Sequence, residues 1–184
     1  MIDVVEIFKE IAKSTGKSIE IILVGAQALP YYGVEARVTM DIDAEIVRGD
    51  LEEVYFELKK RGFESDLSEN ISGWSVISLP KGYRDRAITI YQDDQLKVSV
   101  LNPYDFIIMK LRRGTEQDLE DCLNVALANR LSVEELDRYF ENAISNSIKD
   151  TAILNFRLIY NHFRQALMER LSQKSEQTPD STRG

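Results

Sequence analysis

The sequence has few residues of the kinds that cross-link small proteins or serve a histidine-based active site. It contains one cysteine, Cys122, so no intrachain disulfide can form. Its single histidine, His162, has no recognisable catalytic partner, which argues against a Ser-His-Asp type of triad. No run of about 18 apolar residues occurs, so the sequence predicts no membrane-spanning segment.

Positive charge is also in deficit. The chain has 23 Lys and Arg residues against 31 Asp and Glu residues, for a formal net charge of −8. General affinity for nucleic acid comes from basic residues that neutralise phosphates, so any such contact here must be local. The N-terminus, MIDVVEIFKE, lacks the basic region and apolar run of a signal peptide. We therefore expect a cytoplasmic protein.

Hydrophobic periodicity divides the chain into an α/β half, a helical half and a tail. The α/β half, residues 1–101, contains strand patterns at 18–25, 37–47, 74–79, 86–91 and 96–101. The segment 62–73 reads as irregular. Residues 102–172 predict four helices packed on the first half in one cooperative unit. The polar segment 173–184 predicts a disordered tail.

The strand at 37–47 contains the stretch MDIDAEI, in which apolar and acidic residues alternate. Residues two apart on a strand share a face, so Asp41, Asp43 and Glu45 are predicted to lie on the same side. Mg²⁺ often takes one or two protein carboxylates together with substrate phosphates, and this spacing suits such a site. The pattern alone equally fits a strand with one solvated polar face.

The segment just upstream makes the metal interpretation more specific. The apolar run IILV leads into Gly25, and a short helix pattern follows at once. A helix N-terminus offers unpaired backbone N–H groups to phosphate, and glycine allows a ligand to approach the backbone closely. The sequence thus predicts an anion-binding turn beside a carboxylate pair. A nucleoside triphosphate with Mg²⁺ requires both.

Two stretches carry a resemblance to a known superfamily. VGAQALPYYGVEARVTMDIDAEI resembles the first motif of the nucleotidyltransferases with a polymerase-β-like fold. Its R-x-T-x-D-I-D spelling looks like the branch that includes AbiEii-type toxins, and VLNPYDFIIMKLRRGTEQDLEDCLNVA is similar to a second signature of that branch. The resemblance covers residues 19 to about 130. It implies a mixed-sheet α/β (α+β) nucleotidyltransferase core with flanking helices and a C-terminal helical extension.

The resemblance also implies roles for residues of the first motif. Asp41 and Asp43 would hold Mg²⁺. Gly25 and Ala26 would bind phosphates through their backbone, although the family's usual serine after the glycine is Ala26 here. This departure removes a hydroxyl contact to phosphate.

Four further residues take implied roles around the triphosphate. Arg37 and Thr39 would help to position it, and Lys110 would reach its phosphates. Asp118 would complete the second motif, although an acid at this position is also favoured simply by helix capping.

Active members of the superfamily carry a third carboxylate on a later strand. The strand predicted at 74–79 has none. Two other acids could take its place. Asp85, in the loop GYRDRA, is favoured because a loop can fold over the site. Glu45 lies about 7 Å beyond Asp43 along the same strand.

These residues support one leading function and two rivals. The leading hypothesis is transfer of a nucleoside monophosphate from a Mg²⁺-bound NTP to an RNA or protein acceptor, in a toxin–antitoxin or defence context. One rival is a catalytically degenerate fold that binds nucleotide or a partner protein. The other is an antitoxin-like or scaffold protein that packs on a partner through its C-terminal helix. That helix has an apolar stripe, which burial in its own domain would explain equally well: Ile153, Phe156, Ile159, Tyr160, Phe163 and Leu167.

Three aromatic residues, Trp74, Tyr83 and Tyr91, could stack on a nucleobase. Aromatic residues in strand patterns more often pack against neighbours. Both interpretations stay open for these three residues.

Overall fold

The computed structural model describes residues 3–35 and 41–176. Arg37 and Thr39, which were predicted to position the triphosphate, lie outside these residues. The elements in chain order are α1 (Val4–Thr15), β1 (Ile19–Val24), a first 3-10 helix (Gly25–Tyr32), β2 (Asp41–Arg48), α2 (Leu51–Lys60), β3 (Glu64–Ser68), a second 3-10 helix (Ile71–Trp74), β4 (Ile88–Gln92), β5 (Leu96–Val100), α3 (Pro103–Leu111), α4 (Glu116–Ala128), α5 (Val133–Asn146) and α6 (Ala152–Glu176).

The five strands form one mixed sheet in the order β3-β2-β1-β5-β4. The central strand β1 pairs antiparallel with β2 and parallel with β5. Its sequence, IEIILV, is almost continuously apolar, and most of its side chains are buried. Strands covered on both faces have such runs, whereas half-exposed strands alternate. The mixed sheet and the C-terminal helices confirm the predicted fold class.

Several helix starts follow from short polar residues at their N-caps. The side chains of Asp3, Asp50 and Ser132 each accept a hydrogen bond from a backbone N–H in the first turn of α1, α2 and α5, respectively. At α4, Thr115 and Asp118 form a reciprocal capping box. Such caps satisfy N–H groups that have no partner within the helix.

The segment 62–73 contains a strand that the sequence did not predict. Residues Glu64–Ser68 form β3, which pairs parallel with β2 at the edge of the sheet. This segment is rich in serine and acid and poor in the β-branched residues that mark strands. Pairing with β2 after the α2 crossover, rather than local propensity, makes it a strand.

The strand predicted at 74–79 is absent, because the second 3-10 helix ends at Trp74 and irregular chain follows. Serine side chains and Arg112 take the hydrogen bonds that a strand partner would have taken. Leu79 N–H donates to Ser72 Oγ at 2.9 Å, and Arg112 Nη1 donates to the Ile77 carbonyl at 3.0 Å. Serine side chains compete with regular backbone pairing in this way.

One hydrophobic core extends through both halves of the chain, from Val4 in α1 to Leu167 in α6. This packing fits the expected single unit, while its cooperativity stays a prediction. The helix α6 continues to Glu176, past residue 173, where the tail was predicted to begin. Residues 177–184 lie outside the described range. In the part of the chain that the structure describes, no helix is long and apolar enough to cross a membrane.

The predicted apolar stripe of the C-terminal helix faces the protein's own core. Phe156, Tyr160, Phe163 and Leu167 are buried. The Phe140 ring of α5 stacks on Tyr160 with ring centroids 3.9 Å apart. Because α5 and the core cover this stripe, it is not an exposed docking surface, and the scaffold hypothesis loses the feature on which it rested.

Candidate active site

The turn after β1 holds glycine against the first acidic motif. Val24, the last residue of β1, pairs with Asp43 on β2, so Gly25 lies beside the Asp43 carboxylate. Gly25 has a φ of 70°, in the left-handed region that favours glycine. A Cβ at Gly25 would also overlap Asp43 Oδ2. The backbone conformation and the close approach of Asp43 therefore both require glycine.

A cleft of about 740 Å³ opens beside this turn. Its lining contains residues of both predicted motifs: Gly25, Ala26, Asp41, Asp43, Lys110 and Asp118. The first two begin the first 3-10 helix, the next two lie on β2, and the last two come from α3 and α4. The parallel pairing of β1 with β5, which leads directly into α3, brings the second motif to the same end of the sheet.

A third carboxylate lies next to the Asp41 and Asp43 pair, on the strand that the sequence did not predict. Asp66 on β3 is the register partner of Asp43, and it lines the same cleft. The signal that could have found it is the β2–α2–β3 order, since a strand that follows such a crossover pairs parallel with the first strand. Asp66 thus lies beside the pair, in the position that Asp85 or Glu45 was expected to take.

Asp43 lies in surroundings that oppose its ionisation. Burial raises the pKa of the Asp43 carboxyl, and the neighbouring carboxylates of Asp66 and Asp41 raise it further. The positive charges of Lys110 and Arg113 act in the opposite direction. Crowded acids of this kind gain from a cation, since an opposite charge nearby favours the ionised form.

Glu45 lies two residues beyond Asp43 on β2, and its side chain serves another purpose. It is fully buried and accepts hydrogen bonds from Ile71 N–H at 2.8 Å and Tyr83 Oη at 2.6 Å. Arg84 Nε also donates to it at 2.5 Å. These bonds tie the segment 71–84 to β2, so Glu45 is not the third acid of the cleft.

Asp85 does not line the cleft. It lies exposed in the turn before β4, and its neighbour Arg86 donates to both carboxylate oxygens of Asp105, at 2.9 and 3.0 Å. This bidentate pair anchors the loop to the start of α3. The loop therefore does not place Asp85 over the cleft, contrary to the expectation from the sequence.

Lys110 and Asp118 are in direct contact. Lys110 is 6% exposed, and its Nζ lies 3.2 Å from Asp118 Oδ1 and 3.2 Å from Asp121 Oδ2. Arg113 donates to both oxygens of Asp118, and the Thr115 hydroxyl donates to Oδ2 at 2.8 Å. This network, which we call the helix-acid cluster, fixes the α3–α4 junction at the edge of the cleft.

The helix-acid cluster stabilises ionised Asp118. Burial would raise its pKa, but hydrogen bonds from Arg113 and Thr115 and the charge of Lys110 lower the pKa to about 2. Asp118 is therefore ionised at neutral pH and neutralises the two cations beside it. Lys110, which the resemblance assigned to phosphate binding, lines the cleft from this constrained position.

Arg112 also lines the cleft, and sequence reasoning gave it no role. Its guanidinium donates to the carbonyls of Ile71, Ser72 and Ile77 at 3.0 to 3.1 Å. Burial lowers the pKa of Arg112 to about 10. Within the residues described, its Nε has no hydrogen-bond partner. The hydrogen bonds that Arg112 donates fix residues 71–77, which follow β3, to the end of α3.

The acids on the sheet suit a hard divalent cation. Within residues 3–35 and 41–176, no three His, Cys, Asp or Glu side chains are arranged to hold a metal by themselves. Mg²⁺ needs only one or two protein carboxylates when phosphates supply other ligands. Asp41 and Asp43, with Asp66 beside them, meet this lower requirement.

A family model matches residues 2–168 of the chain, and the family is described as "Nucleotidyltransferase of unknown function (DUF6036)". No curated protein and no solved structure matches the chain. The matched range contains all the residues that line the cleft. The match confirms the nucleotidyltransferase resemblance, while kinship with AbiEii-type toxins stays a prediction.

Proposed function

The chain belongs to this family of nucleotidyltransferases of unknown function, and from that premise we propose that it transfers a nucleoside monophosphate from an NTP to an acceptor hydroxyl. In this reaction the acceptor oxygen forms a bond to the α-phosphorus, and the bond from that phosphorus to the bridging oxygen breaks. Pyrophosphate leaves, and the acceptor hydroxyl loses its proton.

The observation that carries this proposal is the position of Asp66 beside Asp43. The rival hypothesis of a degenerate nucleotide-binding fold depended on a missing third acid. With Asp66 in the cleft, the sheet offers carboxylates on two adjacent strands. We assign Asp41 and Asp43 to Mg²⁺ and Asp66 to the side of the acceptor hydroxyl, whose proton it would accept.

When bound, Mg²⁺ would neutralise charge that develops on the transferred phosphoryl group. The other parts of the site position the nucleotide, which is most of what such transfer requires of a protein. Gly25 and Ala26 begin the first 3-10 helix and line the cleft, and we assign their backbone N–H groups to the phosphates. Arg113, whose side chain is 69% exposed, gives the cleft a positive group that a phosphate can reach.

A labelling experiment tests the activity and the assignment of Asp66 together. The purified chain is incubated with α-labelled NTPs, Mg²⁺ and either total RNA or total protein. We expect label in one acceptor pool, a loss of about 10²–10⁴-fold in Asp66→Asn, the usual contribution of a general base, and little change in Asp85→Asn. A loss in Asp85→Asn but not in Asp66→Asn would overturn the assignment.

Nucleotide binding separates an inactive fold from an active one. A ligand that binds only the folded state raises the melting temperature, so Mg²⁺ with NTP should stabilise the wild type. The combined Asp41→Asn and Asp43→Asn variant should lose this ligand-induced shift. An NTP shift without transfer to any acceptor would favour the degenerate binder, and an equal shift in the double variant would refute the proposed metal site.

We further propose a toxin–antitoxin or defence context, on the R-x-T-x-D-I-D resemblance alone. Induced expression of the wild type should then slow bacterial growth, and expression of Asp43→Asn to the same level should not. Equal growth with both proteins would argue against a toxin that acts through this site.

A further inference from the structure

Trp74 is the one of the three candidate stacking aromatics that reaches the cleft. Tyr83 is buried and donates to Glu45. Tyr91 lies on β4, where its hydroxyl donates to Asp93 and its ring contacts Lys9. Trp74, in contrast, is 39% exposed and lines the cleft that contains Asp41 and Asp43.

The indole of Trp74 is not required to fill the core. The second 3-10 helix is anchored instead by Ile71, which is fully buried. Much of the cleft lining is charged, polar or small, and its two large apolar side chains are Trp74 and Met109. Because the protein leaves part of this aromatic ring exposed in a charged cleft, the π-face of the ring can contact a ligand.

Hydrogen bonds hold the backbone before and after Trp74. Arg112 donates to the carbonyls of Ile71, Ser72 and Ile77, before and after Trp74. Glu45 also accepts a hydrogen bond from Ile71 N–H. A backbone held in this way loses little conformational entropy when its side chain binds a ligand.

We propose that Trp74 is the stacking platform for the nucleobase of the NTP, an inference that rests on the proposed function. In this arrangement the triphosphate lies at the Gly25 turn and the carboxylates, and the base lies against the indole on the β3 side of the cleft. Every base has a π-face, so stacking of this kind does not depend strongly on which base is bound. Trp74 therefore contributes affinity for NTPs in general and little choice among them.

The chain is suited to a direct test because Trp74 is its only tryptophan. Mg²⁺ with ATP should change the intrinsic fluorescence, whereas Mg²⁺ with inorganic triphosphate, which has no base, should bind without that change. A single-stranded oligonucleotide serves as the third probe. A fluorescence change with the oligonucleotide but not with ATP would assign the indole to an acceptor base and overturn the proposal.

Calorimetric titration of Trp74→Ala and Trp74→Phe gives the quantitative test. We expect Trp74→Ala to weaken ATP binding about 5- to 150-fold, the usual range for loss of a base stack, and to leave triphosphate binding within about twofold. Trp74→Phe should recover much of the ATP affinity. Phe56→Ala, which removes an exposed aromatic on α2 outside the cleft, is the matched control and should bind both ligands as the wild type does.

Other results separate the failure of this inference from that of the proposed function. If ATP binds equally well to the wild type and Trp74→Ala, the stacking role is wrong and the transferase proposal stands. If Trp74→Ala weakens ATP and triphosphate equally, Trp74 supports the structure of the cleft and not the base. If the wild type binds neither ligand, both proposals fail.

Discussion

Two groups of acids line the same cleft and have opposite electrostatic surroundings. On the sheet, Asp43 is partly buried near Asp66 and Asp41, and its pKa is raised. In the helix-acid cluster, Asp118 is bound by Arg113, Thr115 and Lys110, and its pKa is lowered to about 2. One group is crowded by like charges, and the other is neutralised by cations.

This difference suggests that the two groups of acids have different roles in the cleft. Acids that repel one another in the ligand-free protein reduce its stability and gain from a cation, which is typical of functional sites. Asp118, which is paired with the buried Lys110 and the exposed Arg113, holds the α3–α4 junction instead. The resemblance assigned Asp43 and Asp118 to one catalytic set, whereas we propose from their contacts a binding role for Asp43 and a positioning role for Asp118.

The largest expected effect is on stability, from Asp118→Asn. Removing this carboxylate leaves Lys110 and Arg113 undercompensated, and breaking a buried ion pair in this way costs up to about 3–5 kcal/mol. Urea denaturation measures the change in the free energy of unfolding. The control is Glu141→Gln, which breaks an exposed pair with Arg157 and should cost about 0–1 kcal/mol. Equal losses in the two variants would remove the distinction between the two groups of acids.

Asp43→Asn should reduce the transfer activity and not the stability of the fold. We expect transfer to fall about 10²–10³-fold, since metal-assisted charge stabilisation supplies several kcal/mol. The ligand-free protein should be as stable as the wild type or more so, because a raised pKa means that the ionised Asp43 costs stability at neutral pH. The control is Glu52→Gln, an exposed acid on α2 outside the cleft. A large loss of stability in Asp43→Asn would place Asp43 with the structural acids.

Two glycines test how tightly the turn is fitted to Asp43. Gly25→Ala and Gly33→Ala both place a side chain at a φ near 70°, which costs about 1–2 kcal/mol. Only at Gly25 would the new Cβ meet a carboxylate, since nothing lies within 4 Å of the Cβ position at Gly33. Thermal denaturation should therefore show the larger loss for Gly25→Ala. Equal losses would mean that backbone strain alone requires the glycine.

The smallest expected effect is the pH dependence of the helix-acid cluster. Asp118 has a lowered pKa in the folded protein, so its contribution is complete above the pKa of the unfolded chain and is lost as the pH falls towards 2. Between pH 7 and pH 3 this loss is at most about 1 kcal/mol. Denaturation at both pH values should show that the difference between wild type and Asp118→Asn narrows in acid. A difference that does not change with pH would contradict the lowered pKa.

Much of the sheet and most of the helices could be predicted from local pattern. The run IEIILV, the alternation in MDIDAEI and the capping residues Asp50, Thr115 and Ser132 each specify their element locally. These signals succeed because periodicity and capping depend on neighbours within a few residues. The prediction failed between residues 62 and 79, where long-range hydrogen bonds decide which segment becomes a strand.

The sequence by itself determined the two motifs, the strand that carries Asp41 and Asp43, and the glycine at the turn beside them, since all of these follow from spacing along the chain. Only the tertiary structure decided which third acid joins the pair. Asp66 reaches Asp43 through the pairing of β3 with β2, whereas Glu45 and Asp85, its rivals in sequence, are drawn elsewhere by Tyr83 and by the anchor between Arg86 and Asp105. The tertiary structure also decided the role of Asp118. The cations around a carboxylate set its charge and its role, and folding brings those cations to Asp118.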